Sequence, residues 1–294
     1  MARNRRFTVG LSGARPRRWK SEFLSIKFSF LKSLILQEKN LTMIITLTPD
    51  ECKTSVAFGK EIVEKKAQSK RDFGSNRMRG VDDNTVDIVE GKLAEVGFAK
   101  FYHEKTGNSV ELDFKIYLDQ LTIDYGNDLD KIFVGTAPHL VKCKIDIKAT
   151  RAFSKWLLVE SHKFWADAYV LCKINVPTDS EENIEKFLEF INTNGVTVDV
   201  AGFAYHFDLI DNNSKEPFIA FNQNERMFRP ERLNDIQDWT PSGIKKYISE
   251  HPADFESMGP QLKAPKNFGM PIIKLRQSTV EWNKLFLWIN NSLS

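Results

Sequence analysis

The 294-residue chain contains few cysteines and few histidines, three and five respectively. The three cysteines, Cys52, Cys143 and Cys172, are far apart and odd in number, which excludes a disulfide framework. No CxxC or HxxxH pair is present, so nothing in the sequence indicates a zinc site. Because unpaired cysteines are typical of a reducing compartment, we predict a cytoplasmic protein.

The sequence also lacks a long apolar run and a large net charge. A membrane-spanning helix needs about 18 or more apolar residues, and the most apolar N-terminal stretch, residues 23–36, is interrupted by Lys27 and Lys32. We therefore expect no membrane association. The 28% of charged and 12% of aromatic residues exclude a disordered chain.

The net charge of +3 is unevenly distributed. Residues 1–42 contain ten basic and two acidic residues, a net +8, so residues 43–294 carry −5. The basic segment has three interpretations: an arm that binds nucleic acid, a targeting leader, or a poorly packed extension. We favour a dispensable, poorly ordered extension at 1–42, followed by a single α/β domain at 43–294.

Hydrophobic periodicity places helices and strands along this domain. Thr48-Pro49 starts a helix that runs to about Lys66. A second helix is predicted over 85–102. Strands are predicted over 109–118, 130–134, 141–148, 156–159, 168–174, 196–200 and 204–210. Further helices are predicted over 182–191, from Thr240 onwards, and over 278–290.

The strand predicted over 141–148 carries the most informative local motif, Asp146-Ile-Lys148. In a strand, side chains two residues apart lie on the same face, so this carboxylate and this amine are neighbours. An acid-x-Lys triplet begins at five positions: Glu51, Glu64, Glu90, Asp113 and Asp146. Only the last two lie on predicted strands.

Asp130, at the start of the preceding predicted strand, distinguishes Asp146 from Asp113. If the Asp130 and Asp146 carboxylates meet at about 4 Å, they repel by roughly 4 kcal/mol at an effective dielectric near 20. Proteins retain such a pair where a cation lies between the acids or where one acid stays protonated. The alternative is that Asp146 and Lys148 merely belong to a solvated strand face.

These elements and residues resemble the PD-(D/E)XK nuclease superfamily, and within it the type II restriction endonucleases. The resemblance covers about residues 85–175 and implies a restriction-endonuclease-like αβββαβ core: a central mixed sheet flanked by helices, with N- and C-terminal additions. The C-terminal addition is about 195–294. The sequence departs from the usual motif, because no proline precedes Asp130 and the triplet begins with Asp. Asp128 or Asp124 remain alternatives to Asp130.

The resemblance implies a role for each matched residue. Asp130 and Asp146 would bind Mg²⁺, together with the backbone carbonyl of Ile147. Glu95, on the helix behind the strands, would hold a metal-bound water or a second ion. Lys148 would orient the attacking water and stabilise charge on the phosphate.

The function implied is Mg²⁺-dependent hydrolysis of double-stranded DNA by a homodimeric type II site-specific deoxyribonuclease, with a cognate DNA methyltransferase as its genetic partner. The alternatives are a repair or recombination nuclease of the same fold and a non-catalytic DNA-binding module. The predicted DNA contacts are basic residues near the site: Lys70, Arg71, Arg77, Arg79 and Arg151.

Overall fold

The computed structural model describes residues 43–69, 81–114, 127–177 and 183–293. These residues all lie in one compact unit, Leu41–Ser294. The basic segment 1–42, the alternative acid Asp124 and four predicted DNA contacts lie outside the described residues. Those four are Lys70, Arg71, Arg77 and Arg79.

Six α-helices and twelve strands form the described structure. The helices are α1 (Pro49–Ser69), α2 (Val81–Thr106), α3 (Ile184–Asn194), α4 (His206–Leu209), α5 (Pro241–Glu250) and α6 (Thr279–Asn291). The first strands are β1 (Met43–Leu47), β2 (Ser109–Glu111), β3 (Lys131–Val134), β4 (Ala137–Leu140), β5 (Ile145–Arg151) and β6 (Trp156–Glu160). The remainder are β7 (Ala168–Asn175), β8 (Val196–Tyr205), β9 (Ala220–Asn222), β10 (Met227–Phe228), β11 (Ser257–Met258) and β12 (Lys266–Pro271).

The central sheet has the strand order β1-β8-β7-β5 and is mixed. β5 runs parallel to β7, whereas β7 pairs antiparallel with β8 and β8 with β1. A crossover that contains β6 joins the two parallel strands. The prediction of an α/β protein with a mixed central sheet and flanking helices is confirmed in this general form.

Helices cover one face of the central sheet. α1, α2, α3 and α6 contribute buried side chains to one cluster with the sheet, including Leu93, Phe98 and Trp282. α2 approaches β8 closely at Gly97, where an added Cβ would lie 2.7 Å from the Val198 side chain. A glycine is required there because the helix and the strand leave no space for a methyl group.

A second sheet, rather than further helices, covers the opposite face. Its strand order is β6-β12-β9. Leu157 and Met270 of this sheet pack against Tyr169, Leu171 and neighbouring residues of the central sheet. The two faces of β7 therefore enter different cores, which explains why this strand is apolar at nearly every position.

Four predicted strands have different bounds from those expected. β2 stops at Glu111, although alternation was predicted to continue to 118; residues 115–126 lie outside the described part. The predicted strand 141–148 begins only at Ile145, because residues 141–144 connect the β3–β4 hairpin to the central sheet. The strands predicted over 196–200 and 204–210 are instead one strand, β8, followed by the short helix α4.

The connection after β5 also differs from an αβββαβ order. Residues 152–167, all described, contain β6 and a single 3-10 turn at Ser161–Lys163, with no α-helix. β2, β3 and β4 form a separate small sheet. The strands predicted over 109–118, 130–134 and 141–148 therefore do not form one meander, because the chain changes sheet between Leu140 and Ile145.

The helix starts predicted at Thr48, Thr240 and Ser278 are confirmed, because capping is a local interaction, whereas the helix predicted over 85–102 begins earlier, at Val81. The Thr48 hydroxyl accepts the amide of Glu51 at 3.3 Å, and the Glu51 carboxylate accepts the amide of Thr48 at 2.8 Å. The Ser278 hydroxyl accepts the amide of Glu281 at 3.3 Å in the same way.

Within the described residues, no helix is long and apolar enough to cross a membrane.

Candidate active site

β5 lies at one end of the central sheet, and its pairing with β7 determines where its side chains point. The parallel register places Asp146 beside Tyr169 and Lys148 beside Leu171. Tyr169 and Leu171 pack against the second sheet, so Asp146 and Lys148 face that side. The alternate residue, Ile147, packs in the core beneath the helices.

Asp146 and Lys148 form an ion pair along this face. The Lys148 Nζ lies 2.6 Å from the Asp146 Oδ2, with exposures of 18% and 9% for the two side chains. The same-face geometry predicted from the strand period is therefore present. Because the pair is largely buried, it is not the freely solvated surface pair that usually contributes little to stability.

Asp128 hydrogen-bonds to β5 along its free edge, which is the edge that does not pair with β7. The chain bends at this residue, its amide donates to the Ile145 carbonyl at 3.0 Å, and its Oδ2 accepts the Ile147 amide at 2.6 Å. The N–H and C=O groups of one strand residue point to the same side. The Ile147 carbonyl therefore also faces the edge along which Asp128 lies.

Two other acids, Glu95 and Asp146, act electrostatically on Asp128. Burial, together with the negative charges of Glu95 and Asp146, raises the pKa of Asp128 well above its usual value. The hydrogen bond from Ile147 and the charge of Lys148 act in the opposite direction without reversing the shift. A carboxyl group in such surroundings is stabilised either by a proton or by a cation.

Glu95 reaches this edge from α2. Its carboxylate lies 2.7 Å from the Lys92 Nζ, one turn earlier on the same helix, and both side chains are mostly buried. Lys92 also donates to the Asp113 carbonyl at 2.8 Å. The predicted helix thus brings Glu95 behind the strands, close enough for its charge to act on Asp128.

Asp130 lies elsewhere, although it is the acid that the sequence favoured. It is exposed, and its carbonyl accepts the Val141 amide at 3.0 Å, at the base of the β3–β4 hairpin. The chain bends at Asp128, whose side chain binds β5. Leu129 is buried, and Asp130 lies at the start of the hairpin. The two acids therefore lie apart, although only one residue separates them. The structure therefore places the alternative acid, Asp128, beside Asp146.

Arg151 lies at the end of β5, with its side chain bound to α2. Its Nε donates to the Glu90 Oε1 at 3.0 Å, and Glu90 is buried. Arg151 is three residues from Lys148 and so projects from the opposite face of the strand. The predicted phosphate contact of Arg151 stays a prediction.

The donor atoms at this edge suit a hard divalent cation. The carboxylates of Asp128, Asp146 and Glu95 and the edge-facing carbonyl of Ile147 are all oxygen ligands, which Mg²⁺ prefers. Burial, and after it the charges of Glu95 and Asp146, raise the pKa of Asp128, and a bound cation would favour its ionised form. The residues present therefore fit Mg²⁺ in their chemistry.

The arrangement of these side chains does not itself form a coordination shell. Across the described ranges, no group of three or more His, Cys, Asp or Glu side chains is placed to hold a metal ion. Asp146 and Glu95 instead contact Lys148 and Lys92. Coordination by three acids thus requires the Asp146 and Glu95 side chains to turn away from their lysines towards Asp128.

Glu160 is a further charged residue near Lys148 that the sequence did not identify. Burial would raise the pKa of Glu160, but Lys163 and the more distant charge of Lys148 help to hold it below its usual value. Its proximity to Lys148 arises from the packing of the second sheet on the first. The only local signal was the position of Glu160 directly after the strand predicted over 156–159.

Comparison with known proteins found no matching family model, no matching curated protein and no matching solved structure. Any function assigned to this site therefore depends on its own geometry and chemistry.

Proposed function

We propose that the chain is a Mg²⁺-dependent endonuclease that hydrolyses phosphodiester bonds of double-stranded DNA, as a type II restriction enzyme does. One observation carries the proposal: Asp128 lies at the free edge of β5 beside Asp146 and Lys148, with its pKa raised by burial and by neighbouring acids. Crowded carboxylates beside a mostly buried lysine are suited to metal-assisted hydrolysis.

In this proposal Asp128 and Asp146 would hold the cation, together with the carbonyl of Ile147. Glu95 would hold a water of this site or a second ion. Mg²⁺, when bound, lowers the pKa of its water and offsets negative charge on the phosphate. Replacing the Asp146–Lys148 contact by a contact with the cation would release the lysine amine for the substrate.

Lys148 then acts on the reacting atoms. Its amine orients the attacking water and provides positive charge where the phosphate becomes more negative. A bond forms between the water oxygen and phosphorus, the phosphorus–oxygen bond to one sugar breaks, and the departing oxygen takes a proton. The proton lost by water balances that gain.

The test is digestion of mixed-sequence plasmid DNA by the full chain, with and without Mg²⁺. We expect discrete fragments with Mg²⁺ and intact DNA without it. Asp146→Asn should abolish cleavage, whereas Asp113→Asn, which changes the other acid-x-Lys triplet on a predicted strand, should not. Full cleavage by Asp146→Asn would refute this assignment.

The same digest separates the alternatives. Fragments with common ends support restriction, whereas cuts confined to branched or damaged DNA indicate a repair or recombination nuclease. The absence of a formed three-acid metal group among the described residues favours a second candidate, a non-catalytic DNA-binding module in which Asp146 and Lys148 are a structural pair. Intact DNA bound by the wild-type chain would support that candidate.

A restriction enzyme of this type also implies partners. We propose a homodimer, because cleavage of both strands needs two sites, and a methyltransferase gene beside this one that protects the host DNA. Sedimentation of the chain with DNA and inspection of the neighbouring genes test these two points.

A further inference from the structure

A cavity of about 410 Å³ lies directly beside Lys148. It is lined by Leu158 and Glu160 of β6, by Asn267 of β12 and by the segment 260–264, which precedes β12. Its volume lies within the roughly 300–1,000 Å³ typical of ligand pockets. The cavity thus connects the candidate active site with a segment more than 100 residues later in the chain.

The charges around this cavity favour an anion. Three lysines, Lys148, Lys163 and Lys263, line it with one acid, Glu160. Glu160 is already paired, since its carboxylate lies 3.2 Å from the Lys163 Nζ. Lys148 is paired with Asp146 and Lys163 with Glu160, so the excess of positive charge comes from Lys263, and it suits a phosphate group.

Lys263 is the amine best placed to meet a ligand from outside. It is exposed in the segment 260–264, and this segment is held in place by the backbone. The Leu262 amide donates to the Glu225 carbonyl at 2.8 Å, and the Asn224 amide donates to the Leu262 carbonyl at 2.8 Å. The lysine side chain therefore extends from a fixed segment, and its removal leaves these contacts intact.

We propose that the segment 260–264 binds the DNA strand next to the phosphate that is cut, with Lys263 and Lys163 contacting a neighbouring phosphate. This inference rests on the proposed function, because it takes Lys148 to act on the scissile phosphate. A strand that places one phosphate at Lys148 must continue past the wall of the cavity. The two exposed lysines provide the charge that a second phosphate requires.

The test measures binding of the full chain to a labelled mixed-sequence duplex without divalent cations, at several salt concentrations. Lys263→Ala should weaken binding and reduce the slope of log affinity against log salt by about 1, as expected for one lost phosphate contact. Lys163→Ala should act in the same direction. Lys246→Ala, an exposed lysine of α5 that does not line the cavity, is the control and should change neither quantity.

Binding and cleavage together distinguish failure of this inference from failure of the proposed function. If the wild-type chain cleaves DNA and Lys263→Ala leaves affinity and slope unchanged, the inference is refuted and the nuclease proposal stands. If the wild-type chain binds but never cleaves while Lys263→Ala weakens binding, the nuclease proposal is refuted, and the segment 260–264 is a DNA contact without a neighbouring cut. Loss of affinity for a mononucleotide but not for the duplex would assign the cavity to free nucleotides and refute the inference.

Discussion

The backbone amide of Ile147 donates a hydrogen bond of 2.6 Å to the carboxylate of Asp128. This contact joins an acid that precedes the β3–β4 hairpin to the strand that carries Asp146 and Lys148. It makes Asp128, and not the nearby Asp130, a member of the candidate site.

Asp128→Asn should therefore reduce both Mg²⁺ binding and DNA cleavage, with a loss of cleavage rate of at least about 100-fold, equivalent to about 2.7 kcal/mol. Asp130→Asn is the matched control, because Asp130 is exposed two residues away. Calorimetric titration with Mg²⁺ and single-turnover cleavage provide the two measurements. Equal activity of Asp128→Asn and wild type, with loss in Asp130→Asn, would restore the acid that the sequence favoured.

The raised pKa of Asp128 predicts a pH dependence of stability. The native state holds this proton more tightly than the unfolded chain, whose Asp pKa is about 3.9. The free energy of unfolding contributed by Asp128 is therefore fully present below about pH 3.9 and is lost as the pH rises through the raised folded pKa.

Asp128→Asn should remove this fall in the free energy of unfolding at rising pH. The variant should therefore gain stability relative to wild type as the pH increases. The gain approaches about 1.4 kcal/mol for each unit of pKa difference. Urea unfolding between pH 4 and 8 measures it, and Mg²⁺ should stabilise the wild type more than the variant. A stability difference that is independent of pH would contradict the assigned shift.

A double-mutant cycle separates the structural role of the Asp146–Lys148 pair from its proposed chemical role. Lys148→Met leaves the buried Asp146 carboxylate without its amine and should cost about 1–3 kcal/mol of unfolding free energy. Adding Asp146→Asn should recover much of this stability, because the uncompensated charge is removed. Cleavage should remain absent in both variants.

Lys142→Met, which changes an exposed lysine just before β5, is the control for this cycle and should alter neither stability nor cleavage. Recovery of cleavage in the double variant would mean that the pair acts only through folding. Urea unfolding and the plasmid digest supply the two measurements.

The parts of the fold that sequence patterns predicted are those set by neighbours in the chain. The Thr48 and Ser278 caps, the alternation around Ile145 and Ile147, and the helix that carries Glu95 all depend on contacts within a few residues. The strand predicted over 141–148 was misplaced because its alternation continues through residues 141–144, where the chain passes between sheets. Alternating burial there persists although only one isolated bridge, Val141–Leu293, replaces the strand pairing that such alternation normally indicates.

The sequence by itself determined that Asp146 and Lys148 share a strand face, because a strand has a period of two wherever it pairs. It also limited the second acid to a few aspartates in one segment. Only the tertiary structure distinguished Asp128 from Asp130, since the bend at Asp128 and its bond to Ile147 depend on where that segment meets β5. The cavity beside Lys148 also depends on the tertiary structure, because it is lined both by β5 and by the distant segment 260–264. No local sequence pattern indicates which distant surfaces pack together.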